Sequence, residues 1–288
     1  MPTLYLVATP IGNLEDITLR ALRVLREVSL VAAEDTRTAR KLLAHYGIRA
    51  RLLSYNEHNK AARIPQLLAH LQHGDVALVS EAGMPGISDP GSDLVSAAAR
   101  AGFRVVPIPG PSAVVAALAV SGLPASRFLF LGFLPRRRGD RRRLLDQVRG
   151  LECTLVAFEA PHRLRDSLAD VLEVLGDRPL AVCRELTKAF EEVFRGNVSQ
   201  ALQRFQEPRG EFTLVIAGAA APVPEADDET LRRELAALRA RGLRAREAVA
   251  EVASRYGLPR RLVYRLWVEE TARPSGGGPV LKSTTERT

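Results

Sequence analysis

Short apolar runs alternate with amphipathic segments along the first 218 residues of the chain. Apolar residues at intervals of three and four predict helices, including 17–26, 64–72 and 162–175. Continuous runs rich in β-branched residues predict seven strands, which are Leu4 to Ala8, Val28 to Ala33, Val76 to Ser80, Arg104 to Ile108, Thr154 to Glu159, Leu180 to Glu185 and Phe212 to Ala217. Because apolar strands joined by helical crossovers form parallel or mixed sheets covered on both faces, the fold class is α/β.

The pattern pauses once and then changes character near the end, which divides the chain. The pause at Ser121 to Pro124 predicts a boundary near residue 122, with α/β domains over 1–121 and 122–220. Residues 219–226 have the composition of a linker. A small helical extension is expected over 227–272. The Pro- and Gly-rich start of the last segment predicts a disordered tail over 273–288.

The extension has helix-ending signals of its own. Ala245 to Tyr256 carries apolar residues at helical spacing, Gly257 suits a left-handed C-cap, and Pro259 suits the first turn of the next helix. That next helix displays Arg260, Arg261, Arg265 and Trp267. Two interpretations stay open: a helix-turn-helix with a basic second helix, and a helical hairpin that packs in a dimer.

Composition excludes several classes of protein. The chain has 288 residues, of which 46% are hydrophobic and 26% charged, so it is neither disordered throughout nor fibrous. The longest aliphatic stretch, 113–120, is too short to span a membrane, and the first residues do not have the pattern of a signal peptide. Cys153 and Cys183 have no metal-ligand spacing, so we expect buried thiols in a reducing cytoplasm and no metal site.

The basic charge is concentrated in two segments. The net charge is +8, and residues 136–149 hold seven arginines against two aspartates. Residues 225–288 hold thirteen basic and ten acidic groups, and the charges of the remaining residues cancel. A neutral body with two basic attachments favours a polyanionic partner such as nucleic acid. The alternative is that the arginine run is a solvated, mobile face.

Polar turns rich in Gly and Pro follow four of the predicted strands. They are Thr9 to Asn13, Glu34 to Arg37, Glu81 to Gly91 and Gly110 to Ala113. Ligands of open α/β sheets bind at the carboxyl ends of the strands, so these turns should share one rim around a ligand cleft. The glycine patterns of Rossmann dinucleotide sites, of P-loops and of common methyltransferase loops are missing from the sequence.

Several sequence blocks together resemble one known family. The opening 4–18, LYLVATPIGNLEDIT, is followed in order by AEDTR at 33–37, PGPSA at 109–113, GFLP at 132–135, EAPHRL at 159–164 and RELTK at 184–188. With Gly210 and Glu211, these blocks resemble the bacterial ribosomal RNA small-subunit methyltransferase I family of the tetrapyrrole-methylase superfamily. The resemblance spans roughly residues 3–218, and the helical extension resembles that family more weakly.

The resemblance implies a cofactor, a substrate and an assembly. S-adenosylmethionine would bind between two α/β domains of a homodimer, and the 2′-hydroxyl of a decoding-centre cytidine in 16S ribosomal RNA, within the 30S subunit, would accept the methyl group. The family's cofactor residues carry over to Pro10, Ile11, Met84, Ile87, Ser112, Ala113, Phe158, Arg184 and Glu211. The third loop departs from the family pattern at Glu81, Met84 and Gly86.

A ribose hydroxyl is a weak nucleophile until its proton leaves, so a base near the rim is expected. The candidates are Glu34, Asp35, Glu81 and His162. For Glu34 and Asp35 the alternative role is to cap the helix that begins near Thr36. For His162 the alternative is an ordinary residue at a helix start.

Arginines at the rim are the candidates for RNA contacts. Arg37 and Arg163 would hold phosphate, or else pair with Glu34 and Glu159. The arginine run is expected to grip the RNA backbone through Arg136, Arg137, Arg138, Arg141, Arg142 and Arg143. Two other functions stay open at this point: methylation of a tetrapyrrole or other small molecule, and a nucleic-acid-binding regulator whose α/β body senses a ligand.

Overall fold

The computed structural model describes residues 2–220 and 226–272. The chain divides into two compact units, Met1–Ala219 and Ala220–Thr288. The larger unit holds two five-stranded sheets, and the smaller unit is helical. None of the helices in the described ranges is long and apolar enough to cross a membrane.

The first sheet is entirely parallel, with strand order β3-β2-β4-β1-β5. Its strands are β1 (Thr3–Val7), β2 (Leu30–Ala33), β3 (Leu52–Ser54), β4 (Val76–Val79) and β5 (Arg104–Ile108). The helices that connect them and follow β5 are α1 (Leu19–Glu27), α2 (Thr36–His45), α3 (Lys60–Leu71), α4 (Gly91–Arg100) and α5 (Ala113–Ser121). Every residue of β2 and β4 is buried, as expected for central strands covered on both faces.

The second sheet is mixed, with strand order β6-β7-β10-β8-β9. Its strands are β6 (Phe128–Phe133), β7 (Thr154–Glu159), β8 (Pro179–Arg184), β9 (Glu192–Asn197) and β10 (Phe212–Ile216), and its helices are α6 (Arg138–Gln147), α7 (Leu164–Leu175) and α8 (Val198–Arg204). Only the β6–β7 pair is parallel. The antiparallel register places Phe212, at the start of β10, opposite Glu159, at the end of β7.

Helix α5 joins the two halves of the larger unit. It follows the last strand of the first sheet, yet its buried residues Val114, Ala117 and Leu118 pack on Val156 and Val215 of the second sheet. Gly122 ends the helix with a φ of +77°, a left-handed conformation that glycine adopts without steric cost. A boundary drawn after residue 121 therefore leaves α5 in the first domain, although its buried residues belong to the core of the second.

The smaller unit contains three helices around one core. These are α9 (Asp228–Ala240), α10 (Ala245–Arg255) and α11 (Arg260–Ala272). Leu235, Val252 and Val263 are fully buried in their common core. Gly257 adopts a φ of +58° after α10, as its sequence position predicted. Residues 221–225 of the expected linker and the expected tail over 273–288 lie outside the described residues.

The α/β prediction is confirmed, and all seven predicted strands are present with small shifts at their ends. Three short or irregular strands escaped prediction: β3, β6 and β9. All three are edge strands, which bury fewer residues and therefore show weaker apolar runs. Arg195 interrupts the apolar pattern of β9, and β6 shifts its register with β7 between Phe130 and Phe133.

Candidate functional site

A cavity of about 370 Å³ lies between the two sheets of the larger unit. A volume of this size falls within the range for small-molecule sites, roughly 300–1,000 Å³. The first half of the unit lines it with Ile11, Glu34, Ser80 to Met84, Ile87 to Asp89 and Ser112 to Val114; the second half lines it with Phe133, Phe158 to Pro161, Cys183, Leu186 and Glu211 to Thr213. All four polar turns that follow the strands of the first sheet contribute, so the prediction of one shared rim is confirmed.

Backbone hydrogen bonds tie the rim loops together. Thr9 and Gly83 exchange two bonds of 2.9 and 3.0 Å, which join the loop after β1 to the loop after β4. Gly83 has a φ of +77°, so a side chain there would strain this junction. The Asp89 carboxylate accepts hydrogen bonds from the backbone N–H groups of Gly86 and Gly91 and thereby orders the loop after β4. These bonds give the cavity wall a defined shape before any ligand binds.

Glu34 is the carboxylate whose protonation the cavity changes most clearly. It follows β2 directly, is half-buried, and accepts a hydrogen bond of 3.2 Å from the backbone N–H of Glu81. Burial raises the pKa of Glu34, and the nearby carboxylates of Asp89, Glu81 and Asp35 raise it further against the opposing effect of the Glu81 N–H. A carboxylate with a raised pKa accepts a proton more readily than an ordinary one.

The side chains that line the cavity are acidic or uncharged. Five carboxylates line it (Glu34, Glu81, Asp89, Glu159 and Glu211), and no lysine, arginine or histidine does among the described residues. Two of the five have cationic partners outside the wall. Glu159 is fully buried and pairs with Arg163 at 2.5 Å, while Glu211 pairs with Lys188 at 2.6 Å. The remaining acidic character suits a ligand that carries positive charge.

Aromatic rings form one apolar side of the cavity. Phe158 on β7 contacts Phe130 edge-on and Phe133 at a tilt, with ring centroids 5.0 and 5.4 Å apart. Phe133 keeps 58% of its surface exposed at the end of β6. An exposed ring held in place by its neighbours offers a face on which a planar base can stack.

Most of the predicted cofactor residues meet in this cavity. Those that line it are Ile11, Met84, Ile87, Ser112, Ala113, Phe158 and Glu211. Pro10 and Arg184 are not among the residues that line it. Arg184 lies at the end of β8, where its guanidinium donates to the carbonyl oxygen of Arg209 and pairs with Glu192.

The structure separates the four candidate bases into two pairs. Glu34 and Glu81 line the cavity. Asp35 does not: it caps α2 by accepting from the backbone N–H of Arg37 at 2.7 Å. His162 is exposed in a short 3₁₀ helix outside the cavity wall. For Asp35 and His162 the structural alternatives therefore describe the observed positions better than the role of base.

The arginine run at 136–149, here called the α6 basic segment, is largely neutralised by acidic residues. Arg138 and Arg142 pair with Glu173 on α7, and Arg143 pairs with Asp140. Arg136 and Arg137 are exposed, and their side chains form no ion pair with any residue the structure describes. Four of the six arginines expected to grip RNA thus already hold carboxylates.

Arg141 corrects the sequence-based expectation outright. Its side chain is only 4% exposed and donates through Nε to Asp170, itself 2% exposed, at 2.8 Å. A second guanidinium nitrogen lies 2.5 Å from the same carboxylate. A buried arginine that holds a buried aspartate cannot reach an RNA phosphate, so its role is to join α6 to α7.

The two rim arginines also hold carboxylates. Arg163 is mostly buried and pairs with Glu159, which is one of the alternatives left open by the sequence. Arg37 pairs with Asp35 at 2.7 Å rather than with Glu34. Because Arg37 keeps 84% of its side chain exposed, its charge stays accessible to a partner.

Several lining residues were not singled out from the sequence, among them Ser80, Asp89, Phe133 and Thr213. Asp89 carried a usable signal, because an aspartate between Gly86 and Gly91 is typical of loops that it orders through backbone N–H groups. Thr213 carried none, since it lies inside a predicted strand. The described ranges contain no group of three His, Cys, Asp or Glu side chains arranged to hold a metal ion.

Residues 3–202 match the family of tetrapyrrole (corrin/porphyrin) methylases, which defines the class of this two-sheet fold and its cavity. Relatives named ribosomal RNA small subunit methyltransferase I are similar to most of the chain. The relative from Halalkalibacterium halodurans is 46% identical over 277 residues, covering 93% of this chain and 95% of its own length. The one from Thermotoga maritima is 52% identical over 221 residues, covering 76% and 99%. The chain therefore belongs to the ribosomal RNA small subunit methyltransferase I family, as the resemblance indicated.

Solved structures share the fold at lower identity. A uroporphyrin-III C-methyltransferase from Thermus thermophilus, complexed with S-adenosyl homocysteine, is 21% identical with a TM-score of 0.54, over 75% of this chain and 97% of that one. Diphthine synthase is 16% identical with a TM-score of 0.60, over 75% and 90%. These similarities concern the two-sheet unit and establish its architecture.

Proposed function

We propose that this protein is an S-adenosylmethionine-dependent methyltransferase that methylates the ribose 2′-hydroxyl of a decoding-centre cytidine in 16S ribosomal RNA. The proposal includes the assembled 30S subunit as substrate, a homodimer as the working form and the cytoplasm as its location. Its relatives are named ribosomal RNA methyltransferases, which supports the enzyme class and the substrate class. The finer statements rest on the resemblance and on the chemistry of the cavity.

One observation carries the cofactor assignment: five carboxylates and no basic side chain among the described residues that line the cavity. S-adenosylmethionine brings a sulfonium, an ammonium and a nucleoside, and when bound it supplies an electrophilic methyl carbon. Glu81 and Asp89 would hold its positive charges, since opposite charges attract strongly where water is partly excluded. Phe158 and Ile11 provide apolar surface for the nucleoside.

The start of α5 suits the negatively charged end of the same cofactor. Ser112 caps this helix, and the first turn at Ala113 and Val114 lines the cavity. Backbone N–H groups in the first turn of a helix have no partner within the helix and attract carboxylates. The cavity thus offers donors at one place and carboxylates at others, which matches a zwitterionic amino-acid group.

Glu34 is the residue that we assign to the proton of the ribose hydroxyl. It lines the cavity, and its raised pKa makes it a better proton acceptor than an ordinary glutamate. Glu81 lies beside it and donates a backbone hydrogen bond to it, which orients the Glu34 carboxylate. Phe133, at the exposed mouth of the cavity, would stack the target base while its ribose reaches Glu34.

The Glu34→Gln variant tests this assignment. A glutamine keeps the shape but cannot take up a proton, so kcat should fall by roughly 10²–10⁴-fold. The wild-type rate should rise with pH as Glu34 loses its proton, at a pH above the ordinary 4.5 of glutamate, and the variant should lack this rise. Glu152→Gln, an exposed glutamate outside the cavity, is the matched control and should leave both quantities unchanged.

The function itself is tested with tritiated S-adenosylmethionine and 30S subunits that lack the modification. Binding of the cofactor is measured by calorimetry, and the labelled nucleoside is identified by digestion and mass spectrometry. The expected product is 2′-O-methylcytidine at one position. Label on a base, or no saturable cofactor binding, would refute the proposal.

A further inference from the structure

A second basic surface lies on the first sheet, outside the two segments that sequence composition singled out. Residues 36–56 contain five lysines and arginines and no acidic residue. Arg40 and Lys41 belong to α2, and Arg49 and Arg51 precede the edge strand β3. We call these four residues the α2–β3 basic surface.

The charges of this surface are unpaired within the structure. All four side chains are exposed, and none forms an ion pair or a side-chain hydrogen bond with another residue in 2–220 or 226–272. Each of these side chains can bind an anion without first breaking an existing ion pair. This distinguishes the surface from the α6 basic segment, where Arg138, Arg141, Arg142 and Arg143 already hold carboxylates.

The surface is concave. A groove of about 490 Å³ is lined by Arg40, Leu43, Ala44, Ile48, Arg49, Ala50, Arg51 and Leu52. Arg40 on α2 and Arg49 and Arg51 before β3 thus line one depression together with aliphatic side chains. Arginine guanidinium groups present forked donors that match phosphate oxygens. None of the described residues that line the groove is aromatic, so it favours a phosphate backbone over stacked bases.

The surface also continues from the rim of the cavity. Glu34 lines the cavity at the end of β2, and α2 begins two residues later and runs back along the sheet. Positions 37, 40 and 41 lie on one helix face by their spacing, so exposed Arg37 leads from the rim to Arg40 and Lys41. Since β3 is parallel to β2, Arg49 and Arg51 lie at the far end of the sheet from the cavity.

We infer that the α2–β3 basic surface binds the sugar-phosphate backbone of the RNA substrate, along the strand that leads away from the nucleotide in the cavity. The inference rests on the proposed function for the identity of the polyanion. The physical basis of the inference does not depend on the proposed function. It consists of the unpaired basic side chains, the groove between them and the continuous path to the rim. Binding here would orient the substrate without touching the reacting atoms.

The test compares two double variants on opposite edges of the same sheet. Arg49→Gln with Arg51→Gln removes two charges of the surface. Arg100→Gln with Arg104→Gln removes two exposed arginines beside β5, at the opposite edge, which also lack ion pairs among the described residues. Both variants lose the same net charge, so a difference between them reports position.

Affinity is measured for in vitro transcribed 16S ribosomal RNA between 50 and 200 mM salt, on the order of the range used for such titrations. Two lost single-strand phosphate contacts lower the slope of log K against log salt by about 1.4, and we expect roughly a tenfold loss of affinity at low salt for the first variant. The control should stay within about twofold. Cofactor binding, followed by calorimetry, should be unchanged in both.

Each outcome decides the inference. Equal slopes in the two variants would overturn it, and methyl transfer by the wild type would show that the proposed function stands. Weaker RNA binding only in the Arg49→Gln, Arg51→Gln variant supports it even if the wild type transfers no methyl group, and the proposed function then fails alone. Unchanged affinity for naked RNA with reduced affinity for 30S subunits would assign the surface to an acidic protein and overturn the RNA assignment.

Discussion

The α6 basic segment carries seven arginines and the α2–β3 basic surface four basic residues, and the two use these charges differently. In the α6 basic segment, Arg141 is buried and holds Asp170, and its neighbours pair with Asp140, Asp170 and Glu173. In the α2–β3 basic surface, four exposed cations have no ionic partner in the described ranges. The denser run in the sequence is therefore the poorer source of free charge.

The difference shows what an arginine run does and does not indicate. Sequence counting weighs a charge by its neighbours along the chain, whereas Asp170 and Glu173 lie about thirty residues after the arginines that they neutralise. Helix packing of α6 on α7 brings them together. A charge run predicts a binding surface only when the elements packed against it are themselves uncharged.

The largest effect should come from breaking the buried pair. Asp170→Asn removes the charge that compensates Arg141, and an uncompensated buried charge destabilises a protein by roughly 3–5 kcal/mol. Urea unfolding followed by circular dichroism should show this decrease in the free energy of unfolding. Glu173→Gln breaks exposed pairs of Arg138 and Arg142 and should cost less than about 1 kcal/mol.

If Asp170→Asn unfolded like the wild type, Arg141 would not depend on Asp170. The contrast with the α2–β3 basic surface would then rest only on the exposed pairs of Arg138, Arg142 and Arg143.

A smaller effect separates the free arginines of the α6 basic segment from the paired ones. Arg136→Gln with Arg137→Gln should lower the salt slope of RNA binding by about 1.4, because each lost contact with a single strand contributes about 0.7. Arg142→Gln with Arg143→Gln should change the slope by less than about half as much, since these side chains already hold Glu173 and Asp140. Filter binding over a salt series measures both slopes.

Equal slopes in these two double variants would mean that RNA displaces the carboxylates from the paired arginines. The ion pairs observed in α6 would then be a resting arrangement, and the segment would count fully as RNA-binding surface.

The smallest effect concerns the exposed pair at the start of α2. Hydrogen bonds from the Arg37 side chain and backbone lower the pKa of Asp35 from 3.8 to about 2. A lowered pKa in the folded state stabilises the protein above the unfolded value, and this contribution is lost as the pH falls from about 4 to 2. Asn caps helices as well as Asp, so Asp35→Asn should keep the cap while removing this acid-dependent part.

Melting temperatures between pH 5 and pH 2 provide the measurement. The wild type should lose slightly more stability than Asp35→Asn over the lower part of this range. Parallel curves would show that the exposed pair contributes nothing measurable, unlike the buried pair of Arg141 and Asp170.

The sequence predicted the strands that are buried on both faces, because short continuous apolar runs such as 76–79 are typical of such strands. It also placed the four rim turns, since Gly and Pro at the ends of these strands mark turns and parallel strands end at one edge. Three of the four edge strands, β3, β6 and β9, escaped because only part of their residues are buried, and β9 even carries Arg195. For the cavity, most of the residues that were predicted lie in a recognisable motif, whereas Thr213, inside an apolar strand, was not predicted.

The sequence alone determined the α/β class, the family and the rim, because each depends on local patterns or on blocks of adjacent residues. Only the tertiary structure decided which ionisable groups are free: it buried Arg141 against Asp170 and left Arg184, Asp35 and His162 outside the lining of the cavity. The packing of α5 on the second sheet could not be predicted from the sequence either, because a helix that is apolar on every side does not indicate which sheet it packs against. Burial and pairing are properties of contacts between distant parts of the chain, and a linear pattern holds no record of which distant residue supplies the partner.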